Sequence, residues 1–227
     1  MNTTFAIGIP TLNRADLLIP AILYYKNDFP NTEIFIVDNG KQNLNEICLR
    51  AGITKLSNVQ VVEPEKNLGV AGSWNNLCRE IFKRFDYAII LNDDIYWGRK
   101  EWEVEMFIKG NTDKHLITTP LDWCNFILPK KTFEEVGAFD EEFFPAYFED
   151  NDYAYRMKLQ GKSIYKVPFL IPQVHRVSQT MDKEGVGFDF QYVRDGFRNN
   201  KKRYVEKWGG EPECETYKIP FNDKTNT

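Results

Sequence analysis

The apolar positions in the first half of the chain fall into short, almost unbroken runs, separated by stretches where they recur every three or four residues. Phe5-Ala6-Ile7-Gly8-Ile9 reads as a strand stopped at Pro10, and Ile34-Phe35-Ile36-Val37 as a second, cut by Asp38-Asn39-Gly40. Val59-Gln60-Val61-Val62 is a third and Tyr87 to Leu91 a fourth. Between the first two, Asn13 is placed to cap a helix whose positive end Asp16 favours. Leu17, Ile22 and Leu23 are its core positions, and Pro20 predicts a kink or a late start. Trp74, Leu77, Cys78, Ile81, Phe82 and Phe85 recur at helical spacing. Strands that are apolar along their whole length are buried on both faces, so the pattern predicts an α/β fold with a mostly parallel central sheet flanked by helices. Ligands of such sheets bind at the carboxyl ends of the strands. There the sequence turns polar abruptly: Pro10-Thr11-Leu12-Asn13-Arg14, Asp38-Asn39-Gly40 and Asn92-Asp93-Asp94.

The second half reads differently. Phe126-Ile127-Leu128-Pro129 is strand-like, Lys131 to Val136 a short helix, and Gly137 to Asp140 a turn. An acidic, aromatic stretch from Glu141 to Asp152 leads into a helix from Tyr153 to Gln160, stopped at Gly161. Ser163 to Val167 and Leu170 to Val174 read as strands broken at Pro168, with Pro172 marking the second as an edge strand. A last helix runs from Phe190 to Trp208 and ends at Gly209-Gly210. No repeat, low-complexity segment or linker interrupts the chain. Residues 1–227 are therefore expected to form a single domain, about 1–97 and about 98–227 being two subregions that share one sheet.

Composition narrows the classes. A net charge of −4 argues against a broad nucleic-acid surface. No apolar run approaches the ~20 residues needed to span a membrane, so no transmembrane segment is expected. The opening MNTTFAIGIP lacks the basic and apolar regions of a secretory signal. Cys48, Cys78, Cys124 and Cys214 are widely spaced and read as reduced thiols of a cytoplasmic protein. Aromatic residues make up 15% of the chain, which suits a core and equally suits flat ligands such as sugar rings and bases.

Three constellations carry candidate chemistry. Asp93-Asp94 after an apolar strand is either a surface turn or a divalent-cation site completed by substrate phosphates. Glu149, Asp150 and Asp152 at the start of a helix either answer the helix dipole or, among aromatic rings, form a general base of raised pKa. His175 is either structural or a metal ligand, and a neutral imidazole suits Mn, Zn or Fe better than Mg. Trp123 reads either as a sugar-stacking platform or as a partly buried core residue.

In order along the chain, these features resemble a family 2 glycosyltransferase of the GT-A fold. The resemblance rests on IPTLNR, IFIVDNG, NLGVAGSWN, ILNDDI and above all VGAFDEEFFPAYFEDNDYAYRMKLQGKS, Val136 to Ser163, which is similar to a rhamnosyltransferase-like branch. It implies that the backbone at Pro10 and Thr11 and the side chain of Asp38 hold a uracil or thymine base. Arg14 would reach a phosphate. Asn67 and the Gly69–Gly72 turn would open a helix whose first N–H groups lie near the nucleotide. Asp93 would touch the ribose and Asp94 would hold Mn2+ or Mg2+, with His175 completing the shell. Asp150 matches the catalytic base, Glu149 and Asp152 support acceptor or helix geometry, Trp123 lies over the donor or acceptor pocket, and Arg176 and Ser178 serve the diphosphate. The family's acidic triplet begins with Asp, whereas this chain has Asn92. The implied activity moves a sugar from a UDP- or dTDP-linked donor to a hydroxyl of a glycan acceptor with inversion. Rhamnose is the favoured sugar, ahead of glucose or galactose. Three other readings fit less well. A sugar nucleotidyltransferase would carry a Gly-rich basic loop in place of PTLNRADL. A dinucleotide oxidoreductase would carry GxGxxG after the first strand. A non-catalytic carbohydrate-binding module explains the aromatic residues but needs neither the acidic pair nor the late histidine.

Overall fold

The structure is a computed structural model that describes residues 4–50, 58–120, 123–172, 174–175 and 190–223. Its elements are β1 (Phe5–Thr11), α1 (Ala15–Asp28), β2 (Ile34–Asp38), α2 (Leu44–Arg50), β3 (Val59–Val62), α3 (Gly69–Ile81), β4 (Tyr87–Leu91), β5 (Ile95–Tyr96), α4 (Glu101–Lys109), β6 (Leu116–Thr118), β7 (Asn125–Pro129), α5 (Lys130–Val136), α6 (Glu149–Leu159), β8 (Ile164–Lys166), β9 (Val174–His175) and α7 (Phe190–Trp208). The central sheet has seven strands in the order β3-β2-β1-β4-β7-β6-β8. β3, β2, β1 and β4 are parallel; β7 is antiparallel to both β4 and β6, and β8 is parallel to β6. The mostly parallel sheet is thus present with one reversed strand, β7.

Alternate side chains of the strands supply two cores. Ile7, Ile9, Ile34, Ile36, Ile89, Leu91 and Ile127 pack on one face with residues of α1, α2 and α4. Ala6, Phe35, Val37, Ala88, Ile90, Phe126 and Leu128 pack on the other with residues of α3, α5 and α6. Burial of both faces is what made the strand runs continuous in the sequence. A smaller cluster, Phe143, Phe148, Tyr155, Tyr204 and Trp208, fixes α7 against α6.

Some local expectations are corrected. α1 begins at Ala15 and runs through Pro20, which sits on its exposed side near the first turn. The hydrogen bond it removes is the one to the Asp16 carbonyl, close to the solvent-facing helix start. Leu23 points outward at 48% exposure, and Leu17 and Ile22 are buried together with Leu18, Ile19, Ala21 and Tyr25. Asn13 does not cap α1. It takes a left-handed conformation (φ 55°), and Arg14 occupies the cap position. The strand expected over Leu170 to Val174 is a 3-10 turn at Pro168–Leu170 followed by the two-residue β9, because Pro168 and Pro172 offer no N–H to a ladder. β9 pairs with β5 outside the main sheet, Ile95 opposite His175 and Tyr96 opposite Val174. No helix among the described residues is long and apolar enough to cross a membrane.

Candidate active site

The parallel registers bring the polar strand ends together. Thr11 lies opposite Asp38, and the Thr11 hydroxyl donates to Asp93 Oδ2 at 2.7 Å. Asp38 is fully buried and organises the loop that follows it. Its carboxylate accepts from the Gly40 N–H at 3.0 Å, the Gln42 N–H at 2.7 Å and Gln42 Nε2 at 3.0 Å. Gln42 Oε1 in turn accepts from the Ala15 N–H at 2.8 Å, tying the loop to the start of α1. The sequence reading passed over Gln42, since a glutamine in a polar loop gives no signal until its partners are seen.

Asn92-Asp93-Asp94 leaves β4 in a turn closed by the Ile95 N–H on the Asn92 carbonyl at 3.2 Å. Asp94 is 3% exposed. Burial pushes the Asp93 carboxyl up to about 6, against the Thr11 hydrogen bond, and the Asp94 charge pushes the same way. Arg14 stands beside them. Its guanidinium grips Asp16 at 2.9 and 3.0 Å, which raises its pKa, and the fields of Asp93 and Asp94 act in the same direction. Because β5 begins one residue after Asp94, its pairing with β9 brings the His175 backbone to the same end of the sheet. The side chain of His175, and Arg176 and Ser178 altogether, lie outside the described residues.

The α3 terminus differs from expectation. Asn67 Oδ1 accepts from the Gly69 N–H at 2.9 Å, Asn39 Oδ1 from the Leu68 N–H at 2.9 Å, and the Pro145 carbonyl from the Val70 N–H at 2.8 Å. These amides are satisfied inside the protein, so this helix start is a joint between β2, α3 and the 141–148 segment rather than an open phosphate cradle. Gly69 has φ 67°, and a Cβ there would come within 2.7 Å of the Pro145 oxygen, which explains a glycine at that joint.

The 141–148 segment leads into the second group of candidate residues. Tyr147 and Phe148 are both left-handed, with φ 77° and 74°, and Phe148 is the cap residue of α6. Glu149 and Asp150 fill the first turn. Asp150 is half-buried, with Oδ1 accepting the Asn151 N–H at 2.8 Å. Glu149 is 5% exposed, and its Oε2 has no hydrogen-bond partner. Burial pushes its carboxyl well above the usual range, and the Asp150 charge adds to the push.

Asp152 is not brought to this edge. It is fully buried, with Oδ2 on Arg156 Nε at 2.9 Å and Oδ1 on both Trp208 Nε1 at 2.8 Å and Lys207 Nζ at 2.5 Å. That placement serves helix geometry, one of the two roles expected of it. Trp123 is partly buried in an aromatic cluster, stacked on Trp74 with centroids 6.4 Å apart and edge-on to Phe126, Phe139 and Tyr153. These contacts fit its core reading.

A mixed sheet with parallel strands β3-β2-β1-β4, one reversed strand, and polar residues gathered where β1, β2 and β4 end defines the GT-A class of glycosyltransferase fold. Residues 6–113 match the family described as Glycosyl transferase family 2. Among solved structures, the chain is similar to the mannosyltransferase PcManGT from Pyrobaculum calidifontis in complex with GDP-Man and Mn2+, with a TM-score of 0.62 and 14% identity over 76% of this chain and 56% of that one. It is also similar to S. aureus TarS, with a TM-score of 0.58 and 14% identity over 89% of this chain and 40% of that one. Residues 1–349 of TarS in complex with UDP give a TM-score of 0.55 at 14% identity, over 89% of this chain and 72% of that one. This chain thus spans only about half the length of the first two, at 56% and 40%. No curated protein sequence matches it.

Proposed function

We propose that the protein is a glycosyltransferase that moves a sugar from a UDP- or dTDP-linked donor to a hydroxyl of a glycan acceptor. One observation carries this reading: the end of β4 sets Asp93, next to Asp94, against Thr11, which lies opposite Asp38, in the half of the chain that matches the glycosyltransferase family. The Pro10–Thr11 backbone and Asp38 flank the base, Asp93 meets the ribose, and Arg14 and Asn67 border the nucleotide.

A divalent cation fits these residues. Two adjacent carboxylates, one pushed up to about 6 by burial and its neighbour, gain from a positive charge between them. Among the described residues no group of three or more His, Cys, Asp or Glu forms a cage. Mg2+ and ions like it need none, being held by one or two carboxylates while substrate phosphates complete the shell. Asp94 would be the principal ligand, with His175 a second. When bound, Mn2+ or Mg2+ would neutralise the charge that develops on the leaving diphosphate.

Asp150 takes the proton of the acceptor hydroxyl as it attacks the anomeric carbon, and one such displacement inverts the centre. Burial favours the protonated form of Glu149, and the Asp150 charge adds to that preference. The preference for rhamnose, ahead of glucose or galactose, rests on the resemblance of Val136–Ser163 to the rhamnosyltransferase-like branch. Cys48, Cys78 and Cys124 are buried and Cys214 is exposed, and thiols kept reduced in these places would suit a cytoplasmic setting.

Calorimetry of UDP with and without Mn2+ tests the donor site. UDP is expected to bind and to bind more tightly with the metal, whereas no binding in either condition favours a carbohydrate-binding module. Release of UDP or dTDP from a panel of nucleotide sugars then identifies the donor.

A further inference from the structure

The chain enters α6 through two consecutive non-glycine residues in the left-handed region, Tyr147 and Phe148. Such conformations cost on the order of 1–3 kcal/mol each and persist only where the surroundings impose them. Asp150 follows two residues after this turn, so whatever imposes the turn also aims Asp150.

α7 supplies that constraint. Asn200 is 3% exposed, and its Nδ2 donates to the Ala146 carbonyl at 2.8 Å and to the Tyr147 carbonyl at 3.1 Å. Both protons of one amide are used on successive carbonyls, which fixes the peptide between them. One helical turn earlier, Gly196 lets α7 close on the same segment: a Cβ there would sit 2.5 Å from Pro145 Cδ. From the opposite side the Val70 N–H holds the Pro145 carbonyl at 2.8 Å. The segment is clamped between α3 and α7, and Phe148 is buried beneath it beside Phe197 and Tyr204.

We propose that Asn200 is a positioning residue for Asp150, acting through the Ala146–Phe148 turn. This rests on the reading of Asp150 as the base. Asn200 touches no reacting atom in that arrangement. It sets where the Asp150 carboxylate stands relative to the acceptor hydroxyl.

The test compares Asn200→Ala, Asn200→Asp and Asn200→Gln with Asp150→Asn. Turnover is read as nucleoside diphosphate release from whichever of UDP-glucose, UDP-galactose and dTDP-rhamnose the wild type uses fastest. Asn200→Ala and Asn200→Asp are expected to lower kcat about 10- to 100-fold, the scale of an ångström-level misplacement, and to shift the acid limb of the pH profile. Calorimetric affinity for UDP should stay within about twofold, because the β1, β2 and β4 edge is untouched. Asn200→Gln, which restores two donors, should recover part of the rate. Amide exchange decides independently of turnover: in Asn200→Ala the amides of Asn151 to Tyr153 should exchange at least about tenfold faster, while those of β1 and β4 keep their protection. Unchanged exchange there overturns the inference. Wild-type kcat in the Asn200 variants beside an inactive Asp150→Asn also overturns it, leaving the base assignment standing. Equal losses in turnover and UDP binding with an unmoved pH limb reduce Asn200 to a folding role and overturn it as well. Wild-type turnover in Asp150→Asn removes the base assignment itself.

Discussion

Asp152 and Asp93 are both carboxylates taken out of water, and the fold treats them in opposite ways. Asp152 sits among three donors from α6 and α7, Arg156, Lys207 and Trp208. Its neighbour Asp140, against the cost of its own burial, is held below the usual carboxylate range by Lys207 and Arg203. At the end of β4, Asp93 receives the neutral Thr11 hydroxyl and is pushed up by the Asp94 charge, while the Arg14 guanidinium, whose field reaches it, is gripped by Asp16. Acids whose counter-charges come from the fold hold helices together. Acids crowded side by side at an edge, where like charges oppose each other, are where positive charge from outside the chain gains most. The distinction separates cement from site without any appeal to motif.

Removing an acid from the cemented side should cost stability most. Asp152→Ala leaves Lys207 and Arg156 beside an emptied buried position and orphans the Trp208 indole N–H. A loss of roughly 3–5 kcal/mol is expected, the range for breaking a buried pair by deleting one partner, measured as a lower urea midpoint. If the midpoint hardly moves, Asp152 is not cement and the contrast with Asp93 fails.

On the site side the loss should fall on rate. Asp150→Asn keeps the size of the side chain and removes the base, so turnover should fall at least ~10²-fold with little change in melting temperature. Asp94→Ala should sharpen the contrast further. It should cost at least about tenfold in Mn2+-dependent UDP affinity, about 1.4 kcal/mol, and relieve the crowding of Asp93 rather than destabilise the fold. Retention of both metal dependence and rate would remove the metal-site assignment.

How far the sequence carried each side follows from the same physics. The continuous strands β1, β2 and β4 and the polar breaks at Pro10, Asp38 and Asn92 were legible, because two-sided burial and an abrupt change of solvent both leave local patterns. α7 was placed over Phe190–Trp208 with its end at Gly209-Gly210, and Gly209 indeed has φ 72°. β6, three residues long, and α4, with only Val104 and Ile108 buried, gave too little periodicity to register. The reversal of β7 was not readable either, since Asn125–Pro129 is buried on both faces whichever way it runs. At the site, Asp152 looked like Asp150 because both open the same helix. What divides them is a contact with Lys207 and Trp208, more than fifty residues away, and no local pattern announces such a partner. Gln42 and Asn200 were missed for the same reason: their roles lie wholly in the carbonyls and carboxylates they reach across the fold.

Glu149 gives the smallest and most discriminating effect, because it belongs to neither treatment cleanly. It is buried like Asp152 but makes no ion pair among the described residues, and burial together with the Asp150 charge raises its carboxyl well above the usual range. The native state therefore holds this proton more tightly than the unfolded chain does. The resulting stability is fully present below the unfolded carboxyl value and declines as pH rises towards the folded one, by up to about 1.4 kcal/mol per pH unit for one proton. Glu149→Gln mimics the protonated form and carries no such dependence. The variant should match the wild type in urea unfolding near pH 4 and become progressively the more stable of the two towards pH 8. Its turnover should survive, because the amide stands in for the protonated carboxyl that burial favours. A constant stability difference across that range would mean that Glu149 is ionised in the folded protein. The carboxylate pair at the start of α6 would then be a second acidic edge in need of a cation, and the single-base assignment to Asp150 would give way to a shared one.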